Sequence, residues 1–142
     1  AARWQKAVWN TSFNPLSVLY KMDTGQMLAD ARITAELKGI MNEVIKVAAA
    51  QGHILPVGSH GWLRTLTVWA LKLGLHLPSP LPAVMMANTR KMPAYKTSML
   101  HDYEAGRPME IAAIVGNVLV AAKACGVATP KIAAVYKKMQ QL

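Results

Sequence analysis

The sequence predicts an all-α, single-domain fold, and three observations carry that prediction. Apolar residues recur at helical spacing almost from end to end, and no stretch alternates apolar and polar as a half-buried strand would. Glycine and proline mostly separate these periodic stretches, as at Gly52, Gly106, Pro108, Gly126 and Pro130. The chain has 142 residues, 53% hydrophobic and 16% charged, which is enough to enclose one core and too apolar for a disordered tail.

Taken in order, Trp4 to about Asn14 reads as a helix that Pro15 ends or kinks, because the residue before a proline is pushed out of the helical region. Pro15 then opens a second helical piece to about Lys21. Asp30 or Thr34 caps the next helix, whose stripe is Ile33, Leu37, Ile40, Met41, Val44, Val47 and Ala48, and Gly52 stops it. A loop from His53 to His60 follows, after which Ser59 caps a helix with Trp62, Leu66, Trp69 and Leu73 on one face. Leu77 to Pro82 contains three prolines and reads as a stiff extended connector. Shorter helices are expected from Ala83 to about Lys91 and from Tyr95 to about Glu104, with a turn at Gly106-Arg107-Pro108. Met109 to Cys125 is a long apolar helix stopped by Gly126, and Thr129-Pro130 supplies the cap and first-turn proline of the last one. The sum is six to eight helices.

Composition excludes several functions. Sixteen Lys+Arg against seven Asp+Glu give a formal charge of +9, which favours anionic partners. The lysines are dispersed over all helices rather than grouped, which argues against nucleic acid. The most apolar stretch, Ile111 to Val127, is interrupted by Asn117 and Lys123 and falls short of the roughly 20 residues of a membrane span. Cys125 alone cannot form an intrachain disulfide, and no secretory leader stands at the front, so a reducing, cytoplasmic setting is expected. His53, His60, His76 and His101 show no metal-binding spacing, so no metal site is expected. No glycine-rich phosphate loop occurs, so the chain has no dinucleotide fingerprint of its own.

Three constellations bear on chemistry. Lys6, Asn10 and Asn14 share one helix face, spread over about 12 Å of axis. An ammonium and two carboxamides there can neutralise an anion and read hydroxyls; an exposed polar face is the plainer reading of the spacing. Ser98, His101 and Asp102 imitate a hydrolytic triad in letters only and read as a polar helix face. Glu110, near the start of a long apolar helix, complements the helix dipole or else faces the same cleft as Lys6.

Two separated segments and a closing one then resemble a known family. Trp4-Gln5-Lys6-Ala7-Val8-Trp9-Asn10-Thr11-Ser12-Phe13-Asn14-Pro15-Leu16 is similar to the pattern W-x-K-x-x-x-N-x-x-x-N-P-L. Ser98-Met99-Leu100-His101-Asp102-Tyr103-Glu104-Ala105-Gly106-Arg107-Pro108-Met109-Glu110-Ile111 is similar to S-M-x-x-D-x-x-x-G-R-x-x-E-I, and Gly126 to Pro130 to G-V-x-T-P. Together, in order from residue 4 to about residue 139, they resemble the C-terminal domain of ketopantoate reductase (2-dehydropantoate 2-reductase).

The resemblance implies a multi-helix domain of the 6-phosphogluconate dehydrogenase C-terminal-domain-like type over residues 1–142. It implies an N-terminal Rossmann domain, absent from this chain, that holds NADP, so the chain alone is expected to be inactive. The implied reaction is reduction of ketopantoate, a small 2-keto acid, to pantoate. By resemblance Lys6 is the catalytic lysine and Glu110 the active-site glutamate near the lysine and the nicotinamide ribose. Asn10, Asn14 and Ser98 are the implied substrate-binding residues. Some members carry an asparagine where Tyr95 stands, which leaves a sister 2-keto-acid reductase as a second reading. A helical dimerisation module without catalysis is a third, and a homodimer is admitted in either case. Asp102 and Arg107 read as a structural pair across Gly106.

Overall fold

The computed structural model describes residues 2–55 and 78–142. Among the described residues there are seven α-helices and one π-helical turn, and no strand, so the all-α prediction holds. The helices are α1 (Ala2–Tyr20), α2 (Thr24–Ala29), α3 (Ala31–Ala50), α4 (Leu81–Lys91), α5 (Ser98–Glu104), α6 (Asn117–Ala124) and α7 (Pro130–Met139), with the π turn (Ala112–Gly116) leading into α6. No helix of the described residues is long and apolar enough to cross a membrane. The expected Trp62/Trp69 helix, its Ser59 cap and most of the loop before it lie outside the described residues.

α1 is the axis of the fold. It is one continuous helix of 19 residues with Pro15 inside it, not the two pieces that the proline suggested. Every residue from Thr11 to Val18 is buried, and α1 packs on α2, α3, α5, the π turn and α7. Contact on all sides outweighs the roughly 3 kcal/mol that an interior proline costs a helix. The end of α1 is unusual. Lys21 adopts φ 52°, and Met22 N–H bonds to the Ser17 carbonyl (3.0 Å), a Schellman closure with lysine where glycine is usual.

The remaining element boundaries show local capping at work. α2 was not expected. Asp23 accepts from Gln26 N–H (2.8 Å) while the Gln26 side chain accepts from Asp23 N–H (3.0 Å), a reciprocal box that starts a helix of 6 residues. Asp30, rather than Thr34, caps α3, accepting from Arg32 and Ile33 N–H at 2.8 and 3.2 Å. The proline-rich connector is shorter than expected, because Pro80 is the N-cap of α4 and Pro82 sits in its first turn, where a missing N–H costs nothing. α5 begins at Ser98, not near Tyr95. The Tyr95 carbonyl accepts from Thr24 N–H (3.0 Å) and Tyr95 N–H donates to Thr24 Oγ1 (3.2 Å), and this stitching to α2 keeps the segment out of the helix.

Two further departures concern the C-terminal half. The expected helix from Met109 to Cys125 contains the π turn, in which Asn117 N–H reaches the Ala112 carbonyl five residues back. The Ile114 carbonyl in that turn accepts from Thr11 Oγ1 of α1 (3.0 Å), so a tertiary bond takes it away from the regular ladder. Glu110 stands directly before this segment, and its carboxylate caps no N–H group among the described residues. Thr129 stands at the N-cap of α7 but makes no side-chain cap there. The donors go instead to Glu43 of α3, a buried carboxylate whose two oxygens accept from Lys131 N–H (3.0 Å) and Ile132 N–H (2.9 Å). Gly39 lets the Lys131 stem cross α3, since a Cβ there would lie 2.6 Å from Lys131 Cδ.

Methionines fill the core as expected, with Met27, Met41, Met86, Met99 and Met139 buried among the aliphatic residues of α1, α3 and α7. The Asp102–Arg107 pair forms across the Gly106 turn, Nε to Oδ1 2.8 Å.

Two outcomes follow from these bonds. Glu43→Ala leaves two N–H groups at a packed helix start without acceptors and lowers the unfolding free energy by about 1–3 kcal/mol in urea melts, with Glu43→Gln intermediate. Tyr20 donates to Glu36 Oε2 (2.6 Å), and this bond to the carboxylate, followed by burial, raises the Tyr20 pKa above its ordinary 10.0. The protonated phenol is therefore the stabilised form. Its contribution is complete below pH 10 and is lost as pH rises through the raised value, so melts of the wild-type protein and Tyr20→Phe differ at neutral pH and converge in strong alkali.

Candidate functional site

A cleft of about 640 Å³ opens between the N-terminal half of α1, the end of α3 and the π turn with α6. α1 contributes Arg3, Trp4, Lys6, Ala7 and Asn10, residues spaced three and four apart and therefore on one face. The segment ending α3 contributes Gln51 and His53, and the facing wall is Ala113, Ile114, Asn117, Val118 and Ala121. Small residues on that wall leave the space, and the Thr11–Ile114 bond beneath it holds the two walls together.

His53 is placed by the helix end before it. Gly52 takes φ 79°, Gly52 N–H bonds to the Ala49 carbonyl (2.9 Å), and His53 N–H reaches back to the Ala48 carbonyl (2.8 Å). That Schellman motif fixes the His53 backbone, and its ring lies 6.4 Å from the Trp4 ring, tilted by 41°.

Of the five residues singled out from the sequence, the structure brings Lys6 and Asn10 into this cleft. Lys6 is exposed and Asn10 half-buried, so the pair runs from the mouth inward along one helix face. Asn14, one turn further, is 3% exposed and lies in the packed part of α1, not on the cleft wall. Ser98 opens α5 and lines a separate shallow hollow with His101, Asp102, Glu104, Ala105 and Arg107. Glu110 is exposed and lines neither hollow.

Hydrogen bonds nevertheless tie the backbones next to Ser98 and Glu110 to α1. Thr97 caps α5 by accepting from Leu100 N–H (3.2 Å), and its hydroxyl meets Ser17 Oγ at 2.6 Å. Ser17 Oγ donates to the Asn14 carbonyl (2.7 Å), which makes Thr97 the donor to Ser17. Ser98 thus begins its helix against the Asn14 turn. Glu110 is tied in by its carbonyl, which accepts from Ile114 N–H (3.0 Å), and Ile114 in turn accepts from Thr11.

The triad-like letters do not form a triad. Asp102 engages Arg107 through Oδ1, and no hydrogen bond joins Ser98, His101 and Asp102 side chains among the described residues. Tyr95, the departure from the family pattern, stacks on Trp9 at 6.2 Å and 12°; Trp9 stacks on Phe13 at 4.6 Å and donates Nε1–H to Thr89 (3.3 Å). Burial raises the Tyr95 pKa.

Sequence reasoning missed Arg3, Gln51, His53 and Asn117 as cleft residues. Arg3 was findable, being three residues before Lys6 on the same face. Asn117 was visible as a polar break in an apolar helix. Gln51 and His53 come from another helix end, and no spacing rule joins them to Lys6.

A family model described as the C-terminal domain of ketopantoate reductase PanE/ApbA matches residues 1–142. A 2-dehydropantoate 2-reductase of Nostoc sp. is 32% identical over 140 residues, covering 99% of this chain and 37% of that protein. Among solved structures, the 2-dehydropantoate 2-reductase of Methylococcus capsulatus is 40% identical with a TM-score of 0.78, over 99% of this chain and 41% of that one. The Geobacter metallireducens enzyme of the same name is 33% identical with a TM-score of 0.76, over 99% and 40%. The chain therefore spans about two fifths of the length of these relatives.

Proposed function

The chain belongs to the family of ketopantoate reductase C-terminal domains, and on that premise we propose that it is the substrate-binding and proton-donating part of an NADPH-dependent 2-dehydropantoate 2-reductase. The observation that carries this reading is Lys6 and Asn10, one turn apart on α1, lining one cleft whose walls hold no carboxylate. An ammonium, a guanidinium and amides suit both a 2-keto acid and a phosphorylated dinucleotide, which are negatively charged. When bound, the reduced nicotinamide supplies the hydride. In this reading a second, nucleotide-binding domain supplies most of the cofactor's contacts.

Lys6 Nζ stands against the ketone oxygen, stabilises the negative charge that grows there as the carbonyl is reduced, and then donates its proton to give the alcohol. Asn10 orients the substrate by donating and accepting without charge. Asn14 and Ser98 are proposed to complete the grip on the keto acid, and Glu110 to orient the ammonium and the ribose hydroxyls. All three lie off the cleft wall within this chain, so in this reading the site closes only when the second domain and substrate are in place.

The sister-reductase reading is favoured by one observation. Tyr95 stands where some family members carry an asparagine, and its ring lies nearly parallel to Trp9. A panel of 2-keto acids assayed with the full-length protein separates the two readings: the highest kcat/KM on ketopantoate supports the first, and a clear preference for another keto acid supports the second.

In the full-length protein Lys6→Ala is expected to lower kcat by roughly 10²–10⁴-fold while leaving the melting curve unchanged, because Lys6 is exposed. Retention of near wild-type kcat would remove Lys6 as the proton donor and with it this proposal.

A further inference from the structure

The mouth of the cleft carries more positive charge than proton donation needs. Arg3 and Lys6 stand one turn apart on α1, with the His53 imidazole on the same rim, and no carboxylate lines the cleft. The shortage of carboxylates is a property of the whole chain, which has seven Asp+Glu. Asp23 and Asp30 cap α2 and α3, and Glu43 caps α7 from a distance. Glu36 accepts from Tyr20, Asp102 holds Arg107, and Glu104 holds Lys96 at 2.8 Å. Only Glu110 is left without such a role, and it does not line the cleft. Among the described residues neither Arg3 nor Lys6 has an ion-pair partner.

We propose that Arg3 and His53 form an oxyanion-binding site at the mouth of the Lys6 cleft, distinct from the proton-donating role of Lys6. The geometry supports a built receptor. The His53 backbone is fixed by the Gly52 helix terminator, which places its ring beside Trp4 on the cleft rim before a ligand arrives. Arg3 adds a planar, permanently charged fork suited to two oxygens of one group. Gln51 and Asn117 supply uncharged amides on either side. A ligand whose oxyanion sits at Arg3 and His53 directs its remaining atoms inward past Lys6 toward Asn10.

Two anions have the required chemistry, the carboxylate of a 2-keto acid and a phosphate of the dinucleotide. That choice rests on the proposed function; the oxyanion site does not rest on Lys6 being the proton donor. Isothermal titration of the full-length protein with ketopantoate and, separately, with NADP distinguishes them. Arg3→Gln and His53→Gln are expected to weaken one of the two ligands by roughly tenfold or more, the loss of a charge-assisted hydrogen bond, with unchanged melting curves since both side chains are exposed. Weakened ketopantoate binding identifies the carboxylate as the occupant, and weakened NADP binding that grows less marked with added salt identifies the phosphate. If both variants bind both ligands within about twofold of the wild-type protein, the oxyanion site is refuted. Failure of this site and failure of the proton-donor reading remain distinguishable, because Lys6→Ala is judged on kcat and Arg3→Gln on binding alone.

Discussion

The structure depends above all on the complete burial of the middle of α1. A helix enclosed from Thr11 to Val18 has no solvent to satisfy its polar side chains, so each hydroxyl must find a protein acceptor or donor. Ser12 turns back on its own helix, to the Val8 and Trp9 carbonyls. Thr11 donates outward to the π turn, and Ser17, while donating to the Asn14 carbonyl of its own helix, accepts from Thr97, the cap of α5. The two outward bonds join residues 103 and 80 positions apart in the chain. They place the far wall of the cleft and the start of α5 against the same helix that carries Lys6 and Asn10.

The division of labour along α1 follows from this. Its first half is exposed on one side and presents Arg3, Lys6 and Asn10 to a cleft; its second half is core. Asn14 belongs to the buried second half. Charge is tolerated at the other end because Arg3 and Lys6 are exposed and so keep their contact with solvent. Six of the seven carboxylates are engaged elsewhere, three as helix caps and three with side-chain partners. Among the described residues this leaves Arg3 and Lys6 without an ion-pair partner.

Glu43 illustrates how far such capping reaches. Its residue type and helical position suggest a solvent-facing side chain, since glutamate is rarely buried. It is buried because the first N–H groups of α7 arrive there without a cap of their own, and a carboxylate between two N–H donors recovers the hydration it gives up. The same contact aligns α7 on α3, with Gly39 leaving room for the Lys131 stem.

The sequence by itself determined the helical class, the apolar faces of α3 and α7, the stops at Gly52, Gly106 and Gly126, and the Lys6–Asn10 face, because each depends on residues close together in the chain. The resemblance that named the family likewise rested on short ordered motifs. Tertiary structure alone decided that Pro15 is carried inside α1, that the segment after Glu110 winds as a π turn, and that α7 is capped by Glu43, because in each case a distant partner overrules local preference. It also decided which residues meet: His53, not a candidate from the sequence, joins Lys6 and Asn10 through a helix end, whereas Asn14, Ser98 and Glu110 stay off the cleft wall within this chain. Periodicity along one helix specifies a face, but only packing specifies what that face opposes.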